Sequence, residues 1–145
     1  MDFRDTPDEA AFRKEVRAWF QANLPEGWGS TSLFMESPEG RTEFLRDFQR
    51  KLYDGGWAGL SWPKEYGGRG ATLMEQVIFS QESARAKAPQ PLGVIGLGMA
   101  GPTIIAHGTD AQKSRHLAQI LSGEEIWCQG FSEPGSGSDL ASLKA

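Results

Sequence analysis

Hydrophobic side chains recur every three or four positions over much of the chain, which predicts a series of amphipathic helices. The first helix begins after Thr6, because a threonine N-cap, Pro7 at the first helical position and Glu9 three residues after the cap make a capping box. Its apolar residues share one face: Phe12, Val16, Trp19 and Phe20. Pro25 ends this helix, and residues 27–37, which have no clear period, are predicted to form a loop.

Further helices follow at similar spacing. A second is predicted over residues 37–54, closed by two glycines, and a third from a capping box at 72–75 to about residue 87. An apolar, glycine-rich helix is predicted over 92–107, and a last one over 109–121. The residues predicted to face inward are Phe44, Leu45, Phe48 and Leu52, then Met74, Val77, Ile78 and Ala84, and finally Leu117, Ile120 and Leu121.

A segment rich in aromatic residues and glycine separates the second and third helices. It carries Trp57, Trp62 and Tyr66 among several glycines. Exposed tryptophan is unfavourable, so this segment is predicted to fold back on its own domain as a packed structural loop.

The hydrophobic pattern changes after residue 123. Residues 126–131 form a short apolar run rich in aromatic side chains, which predicts a β-strand. The expected fold is therefore an all-α helical bundle followed by the start of a β-domain. The predicted boundary divides the chain into residues 1–124 and 125–145.

Composition and charge exclude several functions. The 145 residues carry 15 Lys and Arg against 19 Asp and Glu, a formal net charge of −4, with no basic block, which argues against nucleic acid as a partner. No apolar run reaches the roughly 18 residues of a membrane span, and the acidic N-terminus does not resemble an export signal. Cys128 is the only cysteine, so no internal disulfide is expected. These features predict a cytoplasmic protein.

Residues 96–101, with the sequence Gly-Leu-Gly-Met-Ala-Gly, match the G-x-G-x-x-G pattern of dinucleotide-binding loops. Such a loop lies between a strand and a helix, with an acidic residue about 20 positions further on. Here two prolines precede the stretch, and Asp110 follows Gly101 after only nine positions. The glycines are therefore predicted to let helices pack closely rather than to bind a dinucleotide.

A second glycine-rich loop, residues 132–139, directly follows the predicted strand. Its glycines let backbone N–H groups approach a ligand, and its three serines add hydroxyl donors. Such a loop suits a phosphate or the polar edge of a heteroaromatic ring. Ser-Gly turns are also common linkers, so the loop alone does not establish a ligand site.

The wider sequence around this loop is more specific. Residues 127–143, Trp-Cys-Gln-Gly-Phe-Ser-Glu-Pro-Gly-Ser-Gly-Ser-Asp-Leu-Ala-Ser-Leu, resemble the flavin-contacting signature of the acyl-CoA dehydrogenase family. Two other stretches, 59–70 and 101–113, are similar to that family in order and spacing. In the family, an N-terminal all-α domain precedes a β-domain and a C-terminal four-helix domain. The resemblance thus implies that this chain holds the first domain and the opening of the second.

The resemblance also implies a site for FAD and acyl-CoA. The cofactor-binding residues that it implies are Gln129, Phe131, Ser132, Gly137 and Ser138. The first three match positions that face the flavin ring, and the last two match positions near the FAD pyrophosphate and the pantetheine of the CoA ester. Ser138 therefore counts as substrate-binding too. Ile95 and Met99 match the helix that lines the acyl-chain cavity, with ordinary core packing as the equal alternative.

The activity implied by the resemblance is α,β-dehydrogenation of an acyl-CoA thioester, an oxidoreductase reaction of lipid metabolism and β-oxidation. Electron-transfer flavoprotein is the implied acceptor, and a homo- or heterotetramer the implied assembly. The family's catalytic base lies in the C-terminal domain, so no catalytic residue is assigned here and the 145-residue chain alone is expected to be inactive. Glu82 is expected to take a surface or N–H-pairing role instead.

Two alternatives stay open at this stage. Oxidases and monooxygenases of the same fold carry similar loops, and the chain could instead be a non-catalytic helical interaction module or partner subunit of a heteromeric dehydrogenase. His107 is expected at a helix end and His116 on the surface, and no metal site is expected because neither clusters with other ligands. Cys128 is expected to be a buried, inert thiol.

Overall fold

The structure, a computed structural model, describes residues 4–28, 37–130 and 132–144. Within these ranges the chain forms α1 (Pro7–Asn23), α2 (Pro38–Asp54), α3 (Leu73–Arg85), α4 (Gly101–His107) and α5 (Asp110–Ser122). Short helical turns occupy Lys64–Tyr66 and Leu140–Ser142, and a π-helical turn at Gly96–Ala100 leads directly into α4. The predicted all-α fold is confirmed. Most of the predicted loop at 27–37, residues 29–36, lies outside the described residues.

Local sequence determines where the helices begin. Three of the N-termini are reciprocal capping boxes, at Thr6 with Glu9, Thr72 with Glu75, and Thr109 with Gln112. Ser37 caps α2 by accepting a hydrogen bond from the Gly40 N–H. Because a cap contributes about 0.5–2 kcal/mol, the N-termini follow from a few residues each. They lie where the sequence predicts them.

The core forms where α1 packs on α3 and α5 packs on both α2 and α4. Its buried apolar side chains are Phe12, Val16, Phe20, Phe48, Leu52, Trp57, Ala58, Trp62, Ile78, Leu117, Ile120 and Leu121. The aromatic segment before α3 supplies Trp57 and Trp62, which are 4% and 2% exposed. Its predicted role as a packed structural loop is confirmed.

One buried amide joins three parts of this core. Gln49 on α2 is fully buried; its Nε2 donates to the Ile120 carbonyl at 3.0 Å, and its Oε1 accepts from the Gly93 N–H at 2.7 Å. Buried backbone groups need partners. Gln49 therefore ties α2 to α5 and to the segment that leads into the π turn.

The predicted inner face of α3 is largely wrong. Ile78 is fully buried, but Met74 is 51% exposed, Val77 is 42% exposed, and Ala84 also faces solvent. The other buried residue of α3 is Glu82, whose carboxylate pairs with two arginines of α1. This pairing orients α3. The spacing of hydrophobic residues in the sequence does not predict it.

The strand predicted over residues 126–131 is not formed in its described part, residues 126–130. Residues 126–130 have no regular secondary structure, and Phe131 lies outside the described residues. A strand is held by hydrogen bonds to a neighbouring strand, and no described residue supplies one here. Whether the domain boundary lies at residue 124 stays a prediction. No helix in the described ranges is long and apolar enough to cross a membrane.

Candidate functional site

The glycine-rich stretch at residues 96–101 is helical throughout, which excludes a strand–loop–helix dinucleotide site. The Gly101 N–H donates to the Gly96 carbonyl, the i→i+5 bond of a π turn. A Cβ on Gly101 would lie 1.9 Å from Cζ2 of Trp62, and one on Gly96 would lie 3.0 Å from Cγ2 of Ile120. Two of the three glycines thus permit close packing, as predicted, while Gly98 faces open space.

The π turn changes which side chains of this helix point outward. A π turn holds one more residue than an α-helical turn, and such turns occur frequently at functional sites. Met99, inside the π turn, is 47% exposed although its neighbours on the chain are apolar. Ile95, one helical turn earlier, is half-buried. An apolar surface is therefore presented beside the packed glycines.

A groove of about 260 Å³ lies along this surface, and we call it the α4 groove. It is lined by Ile95, Met99, Ala100, Thr103, Ile104, Trp127, Cys128 and Gln129. Three residues that the sequence singled out, Ile95, Met99 and Gln129, therefore meet although about 30 positions separate them. Their roles toward substrate and flavin stay predictions.

The groove is apolar with a few polar atoms, the usual chemistry of a small-molecule site. The Thr103 hydroxyl donates to the Met99 carbonyl at 2.9 Å, so its hydrogen is already used. Complete ligand pockets occupy roughly 300–1,000 Å³. At about 260 Å³ and open to solvent, the α4 groove is smaller than such a pocket.

A larger cavity, about 530 Å³, lies elsewhere, beside Arg17, Trp28 and Glu82. It contains none of the residues that the sequence assigned to substrate or cofactor. Two of its charged residues pair with each other, because Glu82 accepts two hydrogen bonds from Arg17, at 2.8 and 2.9 Å. We therefore take the smaller α4 groove as the candidate site.

The Ser-Gly loop after the groove is organised by its own polar groups. Ser136, only 6% exposed, donates from Oγ to the Asp139 carbonyl at 2.7 Å and accepts from the Ser142 hydroxyl at 2.8 Å. Glu133 and Ser136 form an isolated antiparallel bridge. Asp139 thus helps to hold the loop through its backbone carbonyl oxygen.

The residues assigned to the cofactor lie on the outside of this loop. Ser132, Gly137 and Ser138 are exposed, and neither serine hydroxyl bonds to another described residue. A Cβ at Gly137 would lie 3.5 Å from the Ser132 Oγ, so these two positions are neighbours. None of the three lines the α4 groove as described, and Phe131 lies outside the described residues.

No carboxylate or imidazole is found among the described residues that line the groove. Of the two roles expected for Glu82, N–H pairing is found and a surface position is not: Glu82 is 4% exposed and accepts hydrogen bonds from Arg17 and Arg13. The hydrogen bonds from Arg17 and then Arg13 hold the pKa of the Glu82 carboxyl below its ordinary value. A carboxylate stabilised in this way is a poor base, and we assign no catalytic base in this chain.

Two further expectations need correction. Cys128 is exposed at the groove instead of buried. His116, expected on the surface, is partly buried and contacts Glu125 and Trp127. Cys128 is exposed because the strand in which it was expected to lie is not formed over residues 126–130. The described residues contain no group of three or more His, Cys, Asp or Glu side chains arranged to hold a metal.

Sequence reasoning missed Thr103, Ile104 and Trp127 as groove residues. Thr103 follows Ile95 and Met99 at a spacing of four, so extending the helical face by one turn would have found it. Trp127 had no such signal, because it joins the groove only through the path of the chain after α5.

The fold agrees with comparisons to known proteins. The family model described as "Acyl-CoA dehydrogenase, N-terminal domain" matches residues 6–124. The chain belongs to the acyl-CoA dehydrogenase family and contains its N-terminal helical domain.

Individual relatives are consistent with this assignment. "Acyl-CoA dehydrogenase IpdE1" of Mycobacterium tuberculosis is 42% identical over 142 residues, covering 94% of this chain and 36% of that protein. The ChsE4-ChsE5 complex from Mycobacterium tuberculosis aligns with a TM-score of 0.71 at 36% identity, over 99% of this chain and 35% of that one. The Tcur3481-Tcur3483 steroid ACAD aligns with a TM-score of 0.72 at 37% identity, over 99% and 36%. The chain thus spans about a third of the length of these relatives.

Proposed function

We propose that the protein to which this chain belongs is an FAD-dependent oxidoreductase that dehydrogenates an acyl-CoA thioester between its α and β carbons. One observation carries the proposal: Ile95 and Met99, assigned to the acyl chain, share the α4 groove with Gln129, assigned to the flavin. A dehydrogenase must hold the reacting carbons of its substrate against the cofactor. A single groove with both kinds of residue suits that requirement.

The exposed loop residues fit the cofactor. Phosphate and ring-edge groups accept hydrogen bonds, and the hydroxyls of Ser132 and Ser138 have no other described partner. Gly137 leaves the backbone beside Ser132 without a side chain. FAD, when bound, supplies the hydride acceptor. Gln129 and Ser132, together with Phe131, are proposed to orient the ring, and Gly137 and Ser138 to hold the pyrophosphate and pantetheine.

The groove itself would take the acyl chain. Ile95, Met99 and Ile104 provide apolar surface, which gains about 25 cal/mol for each Å² that the chain removes from water. Trp127 gives a flat aromatic wall. Because no described groove residue carries a carboxylate, the α-proton must be removed by a base from elsewhere in the complete protein.

Substrate class and assembly are also proposals. One structural relative is described as a steroid ACAD, and two are complexes of two different chains. We propose a bulky, ring-containing acyl group as substrate, a heteromeric or homomeric tetramer as assembly, and electron-transfer flavoprotein as acceptor. The relative described as a steroid ACAD supports the first of these proposals. A cytoplasmic role in lipid metabolism completes the proposal.

Anaerobic mixing of the complete, flavin-loaded protein with acyl-CoA thioesters tests this function. We expect loss of the oxidised-flavin absorbance with at least one thioester. Met99→Trp should fill the groove and raise KM at least tenfold, while Val94→Trp, an exposed control on the neighbouring turn outside the groove, should leave it unchanged. Full flavin loading without reduction by any thioester would exclude the dehydrogenase and favour a non-catalytic subunit or another flavoprotein chemistry.

A further inference from the structure

The segment that follows α5 is attached to the helical domain at very few points. The backbone of residues 126–130 makes no hydrogen bond to any described residue. The only side-chain hydrogen bond from this segment, within the described ranges, is donated by Nε1 of Trp127. Yet this segment provides Trp127, Cys128 and Gln129 to the α4 groove. Among the described residues, the indole of Trp127 is therefore the one hydrogen-bonded attachment of this segment.

Two side chains converge on that indole. Oε2 of Glu125 accepts from Nε1 of Trp127 at 3.1 Å and pairs with Nδ1 of His116 at 2.8 Å. The edge of the imidazole also meets the indole, with ring centroids 5.4 Å apart and planes at 88°. Because a carboxylate only accepts, the proton of this bond lies on Nδ1 of His116. We call His116, Glu125 and Trp127 the indole clamp.

Rigid parts of the fold support the clamp on both sides. His116 belongs to α5 and precedes Leu117, which is 3% exposed, and the Glu125 N–H donates to the Gln119 carbonyl at 3.1 Å. On the opposite side the indole covers the π turn, since a Cβ on Gly96 would lie 3.6 Å from Cδ1 of Trp127. The indole is thus held between α5 and the π turn.

We propose that the indole clamp is a positioning element that fixes one wall of the α4 groove. The carboxylate of Glu125 links the imidazole of α5 to the indole, and this link determines where Cys128 and Gln129 lie. His116 and Glu125 do not line the groove, so they act only through Trp127. The expected effect of the clamp on acyl binding rests on the proposed function. The placement of Cys128 and Gln129 by the clamp does not.

Two-dimensional NMR of the ¹⁵N-labelled 145-residue chain tests the clamp without flavin or substrate. The chain has five tryptophans, and Trp127→Phe identifies the indole N–H signal of interest. We expect this N–H to exchange with water at least tenfold more slowly than an exposed indole. The Trp62 indole, which donates to the Leu97 carbonyl at 3.0 Å, is an internal control in every variant.

Matched substitutions distinguish positioning from general stability. In His116→Asn the amide nitrogen occupies the place of Nδ1, so the Trp127 indole N–H should still exchange slowly. In His116→Gln the amide nitrogen lies further from the backbone, and exchange of this N–H should accelerate at least threefold. Glu125→Leu should accelerate it at least tenfold. If Glu125→Leu unfolds the chain, the signals of all the tryptophans collapse together, and the two His116 variants decide the question.

The clamp is refuted if the Trp127 indole exchanges like an exposed indole in the parent, or if the Asn and Gln variants behave alike. A second readout uses the complete flavoprotein, where His116→Gln should raise KM for the thioester at least threefold with kcat changed less than twofold, and His116→Asn should restore KM. An unchanged KM in His116→Gln also counts against the clamp. If no thioester reduces the flavin, the proposed function fails, and the NMR result still decides the clamp.

Discussion

Substitution of Gly101 by alanine is the sharpest test of how the glycine-rich helix is built. The added methyl would lie 1.9 Å from Cζ2 and 2.2 Å from Cη2 of Trp62, whereas carbon atoms in contact are normally about 3.5–4.0 Å apart. The indole is 2% exposed, and its Nε1 donates to the Leu97 carbonyl at 3.0 Å. The ring therefore has no free space to move into and also loses a hydrogen bond if it moves.

The expected magnitude follows from two opposing effects. Overpacking a core typically costs about 1–3 kcal/mol and occasionally more, and an overlap of this size belongs at the upper end. Alanine gains about 0.8–1.0 kcal/mol over glycine in a helix. We expect Gly101→Ala to lower the free energy of unfolding by about 2 kcal/mol. Gly98→Ala meets nothing within 4 Å and should instead raise it by up to about 1 kcal/mol.

Urea unfolding followed by circular dichroism measures both variants. A double-mutant cycle with Trp62→Leu tests the cause, because removing the ring should abolish most of the cost of Gly101→Ala. The reasoning is refuted if Gly101→Ala is as stable as the parent, if Gly98→Ala is equally damaging, or if the cost persists without the Trp62 ring.

Two further predictions concern buried polar groups. Glu82→Gln should lower the free energy of unfolding at neutral pH by about 1.5–3 kcal/mol, since bonds to two arginines lose their charge and both arginines retain some solvent contact. The pKa of Glu82 is lowered in the folded state, so its contribution to stability is present above pH about 4.3 and is lost as the pH falls further. Urea unfolding at pH 3 should therefore show a smaller difference in stability between the parent and Glu82→Gln. The exposed control Glu43→Gln should show no difference at either pH. Gln49→Leu leaves two buried backbone groups without a hydrogen-bond partner and should lower the free energy of unfolding by about 2–5 kcal/mol in the same assay. The exposed control Gln21→Leu should lower it by less than about 0.5 kcal/mol. A Gln49→Leu protein of parental stability, or a Glu82→Gln difference that grows in acid, would contradict these accounts.

The helices were predictable because their signals are local. Three helix N-termini are predicted by a threonine and a partner three positions later, at Thr6, Thr72 and Thr109. The buried face of α5 is likewise predicted by the spacing of Leu117, Ile120 and Leu121. The face of α3 was not predictable in this way. It is oriented by Glu82, whose partners lie on α1, more than 60 positions away.

The candidate site likewise combines features that the sequence predicts with features that only the fold shows. Ile95 and Met99 followed from family resemblance, and their meeting with Gln129 is the part that the fold adds. The predicted strand at 126–131 failed because pairing depends on a neighbouring strand, which a local pattern cannot supply. Trp127 could not be assigned to the groove for a similar reason: its position depends on a hydrogen bond to Glu125 and on packing over Gly96.

Photo-cross-linking most directly tests the central claim that the acyl group of a thioester binds in the α4 groove. The complete, flavin-loaded protein is irradiated with an acyl-CoA that carries a diazirine near the end of its acyl chain, and the labelled peptides are identified by mass spectrometry. We predict label on the segment from Ile95 to Ile104 and on Trp127, suppressed by excess unlabelled thioester. Competable label at the larger cavity beside Arg17 and Trp28, with none on the α4 groove, would contradict the account.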